Sequence, residues 1–241
     1  MDEHVIEVTG MRLANRAYLY RMFHIAFGAE PSAEELRALG SAESVAAMRY
    51  LGQACREDDA AAAEELAKTA DALAALGAKA DDEDFVASLK SDFTRLFLAP
   101  GDAYVHPWES PYIGKETMLF QESTLDVRHR FREHGFTAAE FGHFPEDHVS
   151  MMLDFLAHLS SRAYDAFGDG RDAEAVRVLL SQEDFVNAHL LNWLPDFRSK
   201  LHAADQVGTF ALLSDSLQAF LQVDARFAGR LASWLEAGDR P

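Results

Sequence analysis

The sequence predicts an all-α fold, a helical bundle in two loosely divided lobes, and three observations carry that prediction. Ala and Leu are abundant while Ile is nearly absent and Thr sparse, a bias toward helix formers and away from sheet. Apolar residues recur at three- and four-residue spacing in almost every segment. Gly, Pro and capping residues fall between those segments, where helices stop and start. With 241 residues, 49% of them hydrophobic and 26% charged, the chain reads as a single globular domain spanning residues 1–241.

The elements follow in order. Leu13, Ala17, Tyr20, Phe23 and Phe27 line one helix face, and Gly28 offers a stop. Ser32 and Glu35 have the spacing of a capping box and open a second helix. Val45, Met48, Leu51 and Cys55 mark a third. The stretch from Asp58 to Leu76 is rich in Ala and Glu, which fits either close helix packing or an exposed amphipathic helix. The acidic run Asp81–Asp84 is either a docking site for basic residues or a first turn favoured by the helix dipole. Phe85, Leu89, Phe93, Leu96 and Phe97 form the next stripe. Residues 99–114 break the pattern with three prolines, Trp108 and two tyrosines, an aromatic loop of the kind that carries function. A second break spans residues 136–145 and marks a possible hinge, one that would permit domain swapping. Val149 to Phe167 is helical again and ends at Gly168-Asp169-Gly170. Asp172 is placed to cap the following helix, Pro195 to stop the segment ending in Trp193-Leu194, and a last helix runs from about Val207 to Leu235.

Composition narrows the function. The net charge of −18 disfavours nucleic-acid binding and favours a basic partner, although solubility alone also accounts for it. Cys55 is the sole cysteine, so neither an intramolecular disulfide nor a cysteine metal cluster is expected, and a buried, inert thiol is. The chain has no apolar run of about 18 residues or more, and its start, MDEHVIEVTG, has no basic segment before an apolar one. No membrane insertion and no export are therefore expected, and the cytoplasm is the expected location. No phosphate-binding Gly loop, GxSxG or HExxH motif occurs. His129 and His134, like His143 and His148, are five apart, which does not stack two imidazoles on one helix face. No cofactor is expected. The segment Phe144-Pro145-Glu146-Asp147-His148 reads as a helix start with Pro145 in the first turn. It also reads as a recognition element in which Asp147 accepts a partner's arginine.

Four segments, in order, resemble the TorD/DmsD/NarJ family of redox-enzyme maturation chaperones. Asp92-Phe93-Thr94-Arg95-Leu96-Phe97 resembles the family's D-Y-x-R-L-F, and His106-Pro107-Trp108-Glu109-Ser110-Pro111-Tyr112 resembles P-P-W-E-S-x-Y. Phe144 to His148 followed by Leu153-Asp154-Phe155 resembles E-P-x-D-H-x(4)-L-x-F, and Phe185 to Phe197, with His189, Trp193 and Pro195, resembles F-x-x-x-H-L-x-x-W-x-P-x-F. Phe93 departs from the family's Tyr, Phe144 from its Glu and Pro111 from its Val. The resemblance implies a TorD-like fold and a non-enzymatic chaperone. Its client would be the twin-arginine signal peptide, or the immature apo body, of a molybdopterin-containing oxidoreductase. The chaperone would assist cofactor insertion and hold back export. The family's recognition surface carries over to Leu96, Phe97, Pro107, Trp108, Asp147 and His148, with Glu109 and Tyr112 in the same loop. Two other readings are a nucleotide- or metal-dependent enzyme centred on Asp147 and His148, and a helical adaptor. A monomer or a domain-swapped dimer fits either chaperone or adaptor.

Overall fold

Helix α1 (Glu3–Gly28) lies along α8 (Val149–Gly168), with its C-terminal end over the first turn of α8. The computed structural model describes residues 3–114, 121–137 and 145–238; these form eleven α-helices and one π-helical turn, and their one β-type pairing is a single antiparallel bridge between Trp108 and His148. The all-α expectation is met. The end of α1 and the start of α8 come close because Gly28 has no side chain. A Cβ there would lie 2.3 Å from Ser150 Oγ, so this glycine serves an interhelix contact as well as a stop.

The capping box appears as read, with Ser32 and Glu35 exchanging both bonds at the start of α2 (Ala33–Leu39). Helix α3 (Ala42–Cys55) buries Met48, Leu51 and Cys55 against α4 (Ala60–Ala78). Small residues on α4, including Ala62, Ala63 and Ala70, are buried, so the Ala-rich stretch is a close-packing face. Asp82 caps α5 (Glu83–Phe93) by accepting from Phe85 N at 3.1 Å. The acidic run is thus a helix start, and Asp81 pairs with Arg37.

The stripe of α5 continues into a π-turn, Thr94–Leu98, closed by Ala99 N donating to Thr94 O. The aromatic loop contains a four-residue helix, α6 (Ser110–Ile113), with Pro111 in its first turn. Helix α7 (Glu122–Glu133) was not marked by the apolar pattern, since it buries only Thr124, Val127 and Phe131. Residues 138–144 lie outside the described residues, and with them most of the expected hinge, His143 and Phe144.

Three local expectations are corrected. Pro145 is not in the first turn of a helix: α8 begins at Val149, with the imidazole of His148 as its N-cap. Asp172 does not cap α9 (Asp172–His189) but is its first residue. Pro195 does not stop a helix; it sits in the first turn of α10 (Leu194–Ala204), where its missing N–H has no helical partner to lose. Helix α11 (Thr209–Glu236) closes the bundle against α9, α10 and α4.

One connected apolar cluster runs from Leu13 to Leu235. Within the bundle sits a polar knot. Arg16 donates to Asp224 Oδ2 and to Gln182 Oε1, each at 3.0 Å, and Tyr20 OH donates to Asp224 at 2.6 Å. Gln182 in turn donates to Leu156 O and Ser160 Oγ, so one network ties α1, α8, α9 and α11. Among the described residues no helix is long and apolar enough to cross a membrane.

Candidate functional site

The aromatic loop is held in place by acidic side chains that point inward. Its backbone is paired with the strand-like residues before α8: Glu109 N donates to Asp147 O at 3.0 Å and Val149 N to Pro107 O at 2.8 Å. The Asp147 carboxylate is wholly buried and accepts from Ser110 N at 2.9 Å and from Thr124 Oγ1 at 3.0 Å. Glu146, also buried, takes a two-pronged ion pair from Arg128 at 2.6 and 2.8 Å. Glu109 is buried as well and lies 3.1 Å from His189 Nδ1, whose other nitrogen lies 2.9 Å from Asp126. Burial opposes protonation of His189, but the carboxylates on its two nitrogens outweigh it and raise the pKa. Tyr112 OH closes the loop on His106 O at 2.8 Å, and its ring stacks on Trp193 at 5.1 Å.

This geometry corrects the sequence-based assignment of Asp147 as an acceptor for a partner's arginine. Its oxygens are buried and already bonded within the chain. Glu109 and Tyr112 likewise organise the loop from inside. Leu96 is fully buried in the core, with its carbonyl accepting from Val105 N at 2.7 Å.

The other four predicted residues converge. Phe97, Pro107, Trp108 and His148 all line one groove of about 380 Å³ between the end of α1, the π-turn, the loop and the first turns of α8. Its walls are mainly apolar. Phe93 and Leu98 extend the π-turn side, Phe27 comes from α1 and Met151 from α8. Leu98, 60% exposed, stands at the mouth of the groove. The π-turn shifts the helical register at Thr94–Leu98, which lets Phe97 serve the core cluster and the groove wall together.

The floor is polar. His148 meets the Trp108 ring edge-on at 4.9 Å, and its Nδ1 accepts from Ser150 N at 3.1 Å. Burial, reinforced by nearby His24, holds its pKa down at about 4, so the imidazole is neutral at neutral pH. Ser150 Oγ donates to His24 O at 3.1 Å and lies 2.8 Å from His24 Nδ1. The Trp108 indole N–H is buried without an acceptor. Glu30 and Asp154 border the groove.

Sequence reasoning did not place His24, Glu30 or Asp154 at the site. Asp154 alone lay within a motif that had been singled out, Leu153-Asp154-Phe155. The enzyme reading finds no support in the geometry: His148 caps a helix, Asp147 clamps a loop, and no three His, Cys, Asp or Glu side chains among the described residues are grouped to hold a metal ion.

Comparison with known proteins agrees with the fold and the motifs. Residues 53–199 match the family model described as nitrate reductase delta subunit. A chaperone protein TorD from Vibrio atlanticus is 29% identical over 213 residues, covering 88% of this chain and 94% of that protein. A chaperone protein TorD from Vibrio parahaemolyticus is 28% identical over the same shares of both chains. Another from Photobacterium profundum is 32% identical over 145 residues, 60% of this chain and 66% of that protein.

Proposed function

Since this chain belongs to the nitrate reductase delta subunit family, the TorD/NarJ-type maturation chaperones of molybdoenzymes, we propose that its groove binds the twin-arginine signal peptide of an immature molybdopterin-containing oxidoreductase in the cytoplasm. Occupancy would hold back export while the cofactor is inserted. The body of the immature enzyme would approach the same face. The observation that carries this reading is the groove itself: an open apolar channel around Trp108 and Phe97 on a chain of net charge −18. A twin-arginine signal joins a basic front to an apolar centre. The apolar centre fits the walls, and the negative field speeds arrival of the basic front.

Titration calorimetry with a synthetic twin-arginine signal peptide tests the proposal. The wild-type chain is expected to bind it, and Trp108→Ala to weaken binding by on the order of 2 kcal/mol, as for an aromatic anchor at an interface. The variant should keep its helical circular dichroism. Absence of binding by the wild type, or equal affinity of wild type and variant, overturns the proposal.

A further inference from the structure

The loop that carries Trp108 is anchored, one residue further on, by a histidine with a carboxylate at each ring nitrogen. His189 Nδ1 lies 3.1 Å from Glu109 Oε2, and its Nε2 lies 2.9 Å from Asp126 Oδ2. A neutral imidazole carries one N–H, so it donates at one of these contacts and turns a lone pair on the carboxylate at the other. Both hydrogen bonds form only with the imidazolium. His189 is 4% exposed and Glu109 is wholly buried, so each charge depends on the other for its partner. His189 is also the last residue of α9, where the helix dipole favours a cation.

The groups around the ring come from three elements. The loop gives Glu109. Helix α7 gives Asp126, which Arg130 also reaches, at 3.7 Å, although Arg130 lies closer to Asp184, at 2.7 Å. Helix α9 itself gives the Phe185 ring, at 4.9 Å. Burial opposes the charge on His189, and Glu109 and Asp126 outweigh it and raise the pKa. Burial keeps the Glu109 carboxyl above its ordinary range, while His189 and Asn192 pull it down and Asp147 pushes it up. The His189 carbonyl accepts from Trp193 Nε1 at 2.6 Å, and Tyr112 stacks on Trp193 at 5.1 Å. One residue thus supports the loop on both sides of Ser110, Glu109 through its ring and Tyr112 through Trp193.

We infer that His189 is a positioning residue: as an imidazolium it holds Trp108 in the groove wall through Glu109, and peptide affinity follows its protonation. This rests on the reading of the groove as a signal-peptide site and adds the group that keeps the site in its binding form. The folded pKa of His189 is raised, so its contribution is complete below the ordinary value of 6.5 and is lost as pH rises through the folded pKa. Loss of the proton leaves Glu109 buried without a cation, and the backbone beside Trp108 relaxes toward water.

The test uses the full chain and a synthetic twin-arginine peptide. Nitrogen chemical shifts of the His189 ring give its titration midpoint directly; the midpoint should lie above 6.5, with both nitrogens protonated below it. Peptide affinity should fall several-fold as pH rises through that same midpoint. Asp126→Asn removes a half-exposed charge outside the groove, and should lower the ring's midpoint and the pH of the affinity loss together. His189→Gln should bind weakly and without this pH dependence. A ring that is neutral below 6.5 overturns the inference. So does an affinity profile that stays in place when Asp126→Asn moves the midpoint, because a merely structural histidine would behave in that way. A wild type that binds no twin-arginine peptide at any pH refutes the signal-peptide reading instead. Positioning is then read from hydrogen exchange at the Glu109 and Ser110 amides, which should lose protection above the midpoint; unchanged protection there overturns it.

Discussion

Asp147 accepts two hydrogen bonds inside the molecule, so its loss acts on structure before it acts on recognition. Asp147→Ala strands Ser110 N and Thr124 Oγ1 and frees the aromatic loop from α7; about 2–4 kcal/mol of stability should go with them. Chemical denaturation of this variant beside the wild type checks the point, as a large fall in midpoint. His148 carries a pH signature. Its folded pKa of about 4 lies below the unfolded value of 6.5, so the unfolded chain binds a proton that the folded chain refuses. Its contribution is present above pH 6.5, is lost as pH falls toward 4, and amounts to up to about 3 kcal/mol. His148→Asn keeps an N-cap acceptor, and its stability should fall less steeply than the wild type over that window in thermal melts. At this scale the sequence was a partial guide. Trp108 and Asp147 were both legible as important, but residue type did not say which one faces outward. That depends on Ser110 and Thr124, whose approach to Asp147 exists only in the folded chain.

The helices with unbroken periodicity were legible as elements: α1, α3, α8 and α11 cover the stripes that announced them, and α5 does so as far as Phe93, where the π-turn takes over. Helix α7 was not, because three buried residues in twelve leave little pattern. Helix α10 was hidden by Pro195, which ends a helix from within but suits the first turn of one. The groove was less legible still, because His24, Glu30 and Asp154 come together only when α1 packs on α8. That packing predicts its own weak point. Gly28→Ala would drive a Cβ to 2.3 Å from Ser150 Oγ, and should destabilise by about 1–3 kcal/mol and weaken peptide binding as well. Combining it with Ser150→Ala should recover part of both losses. Strict additivity in that double-mutant cycle would show that the two residues do not press on each other.

For the whole molecule, the Arg16–Asp224 knot is the feature that joins the bundle across its length. It was invisible in sequence, where 208 residues separate the partners, and neither charge lies in a motif. Arg16→Ala leaves Asp224 buried without its cation and should cost about 3–5 kcal/mol, more than any change at the groove. Urea denaturation would register it as a shift in midpoint, with peptide affinity unchanged in the fraction that remains folded. The polar knot and the proposed peptide site thus lie at separate places in one core, the first at the crossing of α1, α9 and α11 and the second at the far end of α1.

The three tryptophans stand in three different surroundings. Trp193 is fully buried and donates to His189 O at 2.6 Å, Trp234 is 52% exposed, and Trp108 lines the groove with its N–H unpaired. Indole emission depends on the polarity of its surroundings and on what its N–H meets. A ligand entering the groove would expel water from the exposed part of Trp108, while Trp193, buried beneath Tyr112, would stay as it was. In a chain carrying Trp234→Phe, the change in emission on adding peptide therefore belongs to Trp108, and the protein reports its own occupancy without a label.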